Sequence, residues 1–337
     1  MIFRIEYSYF KYIETRINHP MIPMRYAQPQ HSSTRKNRIH KRTGEKRHPI
    51  RHNPLQCKKG EVTQTIVEAS SYPEKLQSLF YAASFADVAV LVVEELNAAF
   101  GETILMLDCL GVDEGIIVLT NYITADQIKR FIKGTVLEKY SIMEEDLPKL
   151  RQILQERADK VPIGDAAEHG AVIIDHSFNV RGIGAVALGV VRSGQVHKHD
   201  KLNALPTDNT AQIRSIQKHD DDFDTAELGN RVGLALKNIE ADEIERGMIL
   251  TNDPEIKTIK QMRGRLNLVK YWANPVNPGM AIHVGNNMQF ISATIDKIEN
   301  NIAEISLQKP LAYMPGDKAT VMYLNGGNLR VVGTIQL

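Results

Sequence analysis

An α/β unit followed by an all-β region is the fold class that this 337-residue chain predicts. Three observations carry it. Continuous apolar runs, Val88–Val93 and Ile116–Leu119, alternate with helical patterns, as buried parallel strands and their crossover helices do. From Gly170 onward, short strands with glycine turns replace that alternation. Before residue 60 the composition is of another kind, with 14 Lys and Arg against three Asp and Glu, while the remainder is net acidic. The length suits two or three domains. No apolar run reaches the roughly 20 residues of a membrane helix, and the start lacks a signal peptide's apolar core. Cys57 and Cys109 alone support neither a disulfide framework nor a four-cysteine zinc site, so a cytoplasmic setting is expected. An acidic body argues against binding polyanions by bulk charge, so a nucleic-acid contact needs a local basic patch.

The leader, residues 1–57, opens with Phe3, Ile5, Tyr7 and Tyr9 alternating with polar residues, the pattern of a strand. The stretch from His31 to Arg42 has too few apolar residues to fold alone. The leader as a whole, residues 1–57, reads as a disordered or non-native segment, the other reading being a nucleic-acid-binding tail. Thr43-Gly44-Glu45-Lys46 looks like a zinc-finger linker, but no cysteine pair precedes it. Over residues 58–165, Val62–Val67 predicts a strand and Ser71-Tyr72-Pro73-Glu74 a capped helix start. A second helix is expected near Glu102–Leu110, stopped by Gly111, and a third opens on a capping box of Thr124 and Gln127.

The order of Ala86–Val93, Leu110-Gly111-Val112 and Ile116–Asn121 resembles the GTPase domain of translational GTPases, the elongation factor Tu and selenocysteine-specific factor group. The resemblance implies a degenerate P-loop-GTPase-like α/β domain over 58–165. A P-loop reads G-x-x-x-x-G-K-[S/T], because glycine amides cradle the phosphates while lysine and hydroxyl hold phosphate and Mg²⁺. No such motif occurs in the chain. Where the family carries D-x-x-G-H, this chain has Ala69-Ser70-Ser71-Tyr72-Pro73, with Tyr72 at the glycine and Pro73 at the histidine. The guanine-reading N-K-x-D is Asn121-Tyr122-Ile123-Thr124, so Asn121 is the sole remnant. GTP hydrolysis is therefore not expected, and GTP with Mg²⁺ is a cofactor only if the degenerate site still binds it. The family's central first strand falls within the leader, and the Phe3–Tyr9 segment is the candidate to fill that slot.

Gly182–Val191, Gly194-Gln195-Val196, Gly229–Leu236 and Ile244–Leu250 are similar to the family's second domain, implying a β-barrel over 166–252. Pro278–Val284, Leu307–Leu311, Gly316-Asp317-Lys318 and Leu329–Gly333 resemble its third, implying another over 253–337. In the family the second domain helps to hold the aminoacyl end of tRNA. The matching loop follows Ile216, which makes Lys218 and His219 candidate contacts. Lys257, Lys260, Arg263, Arg265 and Lys270 form a basic stretch that reads as an RNA contact or as a charged strand edge. Tyr271 and Trp272 are expected in the core, and His197-x-His199 in a solvated turn rather than a metal site. The expected partner is tRNA, the ribosome or another translation factor, and no membrane. The rival readings are a GTPase whose P-loop is missing from this sequence and a scaffold outside translation.

Overall fold

The computed structural model describes residues 2–5, 55–59, 62–158, 167, 169–218 and 221–337. The first sheet has strands β1 (Ile2–Ile5), β2 (Leu55–Lys59), β3 (Val62–Glu68), β4 (Val88–Val93), β5 (Gly115–Leu119) and β6 (Ser141–Glu144), in the order β2-β3-β1-β4-β5-β6. All neighbours run parallel except the antiparallel pair β2–β3. β1 thus fills the central slot, with Phe3 opposite Val67 on one side and Ala89 on the other. The leader contributes two strands to the sheet, and the rest of the expected Phe3–Tyr9 strand lies outside the described residues.

The helices are α1 (Leu76–Ser84), α2 (Ala98–Leu110), α3 (Ala125–Ile132) and α4 (Leu147–Ala158). β4 is apolar throughout because both its faces are covered. Ala89, Leu91 and Val93 join the core with α1 and α2, and Val90 packs with Leu150 and Leu154 of α4. α2 starts four residues before the expected Glu102, because Asn97 accepts the Phe100 amide and so caps it. Gly111 ends it in the left-handed region, as expected. The Thr124–Gln127 capping box forms as expected. The one expected on Ser71 and Glu74 does not: residues 71–74 make a turn, and Lys75 precedes α1 with no side-chain cap. The cause is Tyr72, which is drawn inward to bond α2 instead of letting the helix begin.

Beyond residue 170 there are two closed six-stranded barrels. The first joins β7 (Ala171–Val180), β8 (Gly184–Ser193), β10 (Lys201–Leu205), β11 (Thr210–Lys218), β14 (Arg231–Lys237) and β15 (Ile249–Thr251). Its order β10-β15-β7-β8-β14-β11 is closed by the β10–β11 pairing. The short β12 (Asp221–Phe223) pairs antiparallel with the end of β11, and β9 (Gln195–His197) pairs with β13 (Thr225–Glu227). His199 turns this region with φ 76°, where the family pattern has a glycine. The second barrel runs β16-β19-β18-β17-β20-β21, from β16 (Lys257–Leu268), β17 (Ala281–Asn286), β18 (Gln289–Glu299), β19 (Ile302–Tyr313), β20 (Lys318–Met322) and β21 (Val331–Gln336).

The three parts share one continuous core. Phe80, Leu79 and Met106 of the helices lie in the same buried cluster as Ile173 and Ile249 of one barrel and Met288 and Met322 of the other. Phe80 and Tyr81 of α1 meet Phe290 of β18 at ring-centroid separations of 5.7 and 6.2 Å. Gly285 on β17 lies so close that a Cβ there would run into the Phe80 ring. Among the described residues, no helix is long and apolar enough to cross a membrane.

Candidate functional site

In open α/β sheets, ligands bind in the crevice at the carboxyl ends of the strands. Among the described residues that edge is acidic. β3 ends in Glu68, β4 is followed by Glu94 and Glu95, and β6 runs into Glu144, Glu145 and Asp146. The loops 69–74, 94–97, 120–124 and 145–146 contain no lysine or arginine. Asn121 stands at the end of β5 with φ 50°, and its Nδ2 donates to the Glu94 carbonyl at 3.1 Å. The amide that survives from the guanine-reading motif thus ties two loops together. Tyr122 beside it is fully exposed, and Thr124 is occupied as a helix cap.

Tyr72, at the family's glycine, has become part of a buried ion pair. Its hydroxyl shares its proton between the Ala99 carbonyl, 2.8 Å away, and Glu102 Oε2, 3.1 Å away. Glu102, on α2, is 2% exposed. From the far barrel, Arg330 gives it a backbone amide bond of 2.6 Å and two guanidinium bonds, Nε to Oε1 and Nη2 to Oε2. Such a forked, charge-assisted pair is strong and directional. Burial, and next the neighbouring Glu102 charge, push the Tyr72 phenol far above its ordinary range, so it stays a donor. The residue that in a nucleotide switch would answer to a phosphate is here bonded to α2 and, through Glu102, to the far barrel.

A second cluster lies where the nearer barrel meets α1. The β7–β8 register shifts between Ile174 and His176, a bulge that places Asp175 at the irregularity. Asp175 Oδ2 accepts from Nη2 of Arg231, and the Asp175 carbonyl accepts from Nε of Arg246 at 2.9 Å. Arg246 in turn lies 5.0 Å from the centroid of the Tyr81 ring. Asp175 Oδ1 and Arg231 Nη1 are buried and have no hydrogen-bond partner. Two arginines and one aspartate leave a positive excess with one donor and one acceptor unsatisfied. His176 and Phe178 adjoin, their ring centroids 5.6 Å apart, and Phe178 is 38% exposed. Sequence reasoning missed this cluster. Its one local signal is a charged Asp175 directly after the continuous buried run Ala171–Ile174.

The residues expected to bind are dispersed. Lys218 Nζ donates to Asn230 Oδ1 at 3.2 Å and sits 4.0 Å over the Phe223 ring, serving its own barrel. His219 lies outside the described residues. Lys257, Lys260, Arg263 and Arg265 all lie on β16, in the other barrel. Arg263 Nε pairs with Glu304 at 3.2 Å. β16 pairs with β19 along Lys257–Arg265 but with β21 only over Leu266–Leu268, so the four cations lie where the strand is paired on one side, as the reading of a charge-protected strand edge requires. Trp272 packs on the barrel core as expected, whereas Tyr271 is 57% exposed, because it falls in the loop beyond β16. Among the described residues, no group of three or more His, Cys, Asp and Glu is placed to hold a metal ion.

The family model for elongation factor Tu domain 2 matches residues 184–251. An uncharacterized protein of Methanocaldococcus jannaschii is 35% identical over 283 residues, spanning 83% of this chain and 89% of the relative. The selenocysteine-specific elongation factor of the same organism is 26% identical over 301 residues, or 77% of this chain, which spans 64% of that relative. Among solved structures, translation elongation factor SelB from Methanococcus maripaludis, in complex with the GTP analogue GppNHp, superposes with a TM-score of 0.70. That match has 23% identity and covers 85% of this chain and 72% of the other. A bacterial selenocysteine-specific elongation factor gives a TM-score of 0.69 at 17% identity, covering 86% and 51%. An α/β domain carrying two β-barrels is the architecture of a translational GTPase. The chain belongs to that family, in the elongation factor Tu and selenocysteine-specific factor group, and is an elongation-factor-like protein.

Proposed function

We propose that this protein is a pseudo-GTPase that binds tRNA, at its aminoacylated end, as part of a translation complex and does not hydrolyse GTP. Its parts divide near residues 166 and 253. The observation that carries the proposal is the fate of Tyr72. A side chain bonded to Glu102 at the position of a switch glycine leaves no route for a γ-phosphate to move that segment. The carboxylates along the strand ends add repulsion to any phosphate there. The Asp175–Arg231–Arg246 cluster supports the binding half. It faces α1 across a domain boundary, and its unsatisfied acceptor and donor suit the amine and an ionised side chain of an aminoacyl ester. A relative named for selenocysteine fits a cationic pocket of this kind, because a selenol ionises readily. The exposed cations Lys257, Lys260 and Arg265 on β16 offer phosphate contacts for the rest of an RNA.

The test uses the full chain. A fluorescent GTP analogue with Mg²⁺ is titrated to millimolar, and aminoacyl-tRNA is followed by protection of its ester from hydrolysis. Expected are no GTP binding that requires Mg²⁺, and protection that Arg231→Ala abolishes. Micromolar, Mg²⁺-dependent GTP binding overturns the pseudo-GTPase reading, and unprotected ester overturns the tRNA reading.

A further inference from the structure

We propose that the joint between the α/β domain and the far barrel is a binding site for a phosphorylated nucleotide, apart from the carboxyl edge of the sheet. A cleft of about 280 Å³ opens there. Lys133 after α3, Lys270 after β16 and Lys318 at the start of β20 line it from three separate segments. None of the three forms an ion pair among the described residues. The one carboxylate in the wall, Asp108, has its Oδ1 engaged by the Val136 amide at 2.8 Å. The cleft therefore concentrates positive charge on a net acidic body, the condition for drawing in a phosphate. Tyr271, also in the wall and 57% exposed, is an aromatic side chain on which a base can stack. The Lys270 Nζ lies 5.4 Å from the Tyr271 ring centroid, which places a cation beside the stacking surface.

Size narrows the ligand. At about 280 Å³ the cleft sits at the lower end of small-molecule pockets, which run from about 300 Å³, so it has room for no more than one nucleotide and is too small for a docked helix. Position separates it from a GTPase site. Asn97 caps α2 at the carboxyl edge, whereas Cys109 lines the cleft near the other end of that 13-residue helix. At 1.5 Å per residue the two places are roughly 18 Å apart. A free mononucleotide and the terminal nucleotide of an RNA strand share the chemistry that fits.

Isothermal titration of the full chain with AMP, and anisotropy with a 5′-phosphorylated RNA octamer, test this. Binding of both means that free nucleotides enter, and binding of the octamer alone means a strand end. In either case Lys270→Ala with Lys318→Ala lowers affinity at least tenfold. For the octamer it also flattens the log–log salt slope by about 1.4, at about 0.7 per lost phosphate contact. Lys297→Ala, whose partner is Glu299 on the barrel wall, leaves binding unchanged. In a Cys57→Ser background, ligand slows alkylation of Cys109. Absence of binding to millimolar, or binding that the double variant leaves unchanged, overturns the proposal. GTP binding indifferent to the double variant belongs to the carboxyl edge and counts against the pseudo-GTPase reading instead.

Discussion

Replacing Arg330 by Met tests the idea that the α/β domain and the far barrel are held together by side chains rather than by a nucleotide. The variant keeps most of the side-chain volume but strands Glu102, a carboxylate only 2% exposed. Removing one partner of a buried pair costs about 3–5 kcal/mol. Two donors remain to Glu102, the residue-330 backbone amide at 2.6 Å and the Tyr72 hydroxyl at 3.1 Å. They keep the loss near the low end, about 3 kcal/mol. At about 2 °C per kcal/mol for a chain of this size, the melting temperature falls by about 6 °C. Differential scanning calorimetry reads it, and the single transition of the parent separates into two as the domains uncouple. Adding Glu102→Gln to the same chain removes the stranded charge while keeping an acceptor for the backbone amide, and recovers at least half of the loss. A melting point within 1 °C of the parent, or a double variant no better than the single one, refutes the reasoning.

Other expectations follow from the same contacts. Burial holds His283 below its ordinary value of 6.5, with the ring stacked on Phe290. The unfolded chain then takes up the proton first, so stability is full above about pH 6.5 and falls as the pH drops toward the folded value. Urea midpoints at pH 8 and pH 5.5 measure this, and His283→Gln should narrow the difference between them. Gly285→Ala should cost about 1–3 kcal/mol by forcing the Phe80 ring aside, read by urea denaturation. Burial, and next Asp108, push the Cys109 thiol up to about 12. In a Cys57→Ser background it should therefore react with maleimide at pH 8 far more slowly in the folded protein than in urea. Thr124→Ala should lose about 1 kcal/mol through its cap, again by urea denaturation, without touching any nucleotide affinity.

The features legible in the chain alone are those that short-range physics controls. The apolar runs of β4 and β5 declare parallel strands covered on both faces, and the stop at Gly111 and the Thr124–Gln127 box are local hydrogen-bonding chemistry. The missing phosphate and guanine motifs are equally local, because each needs fixed residue types at fixed spacing. Tertiary structure decided the pairings across long separations. Glu102 and Arg330 are 228 residues apart, and Asp175 and Arg231 are 56 apart. Their contacts depend on how two barrels close and where they dock, which no local pattern encodes. The turn at Ser71–Glu74 shows the limit most plainly. Its residue types favour a helix cap, but the deep hydrogen bonds of Tyr72 to Ala99 and Glu102 outweigh that preference, and those partners exist only once the fold is made.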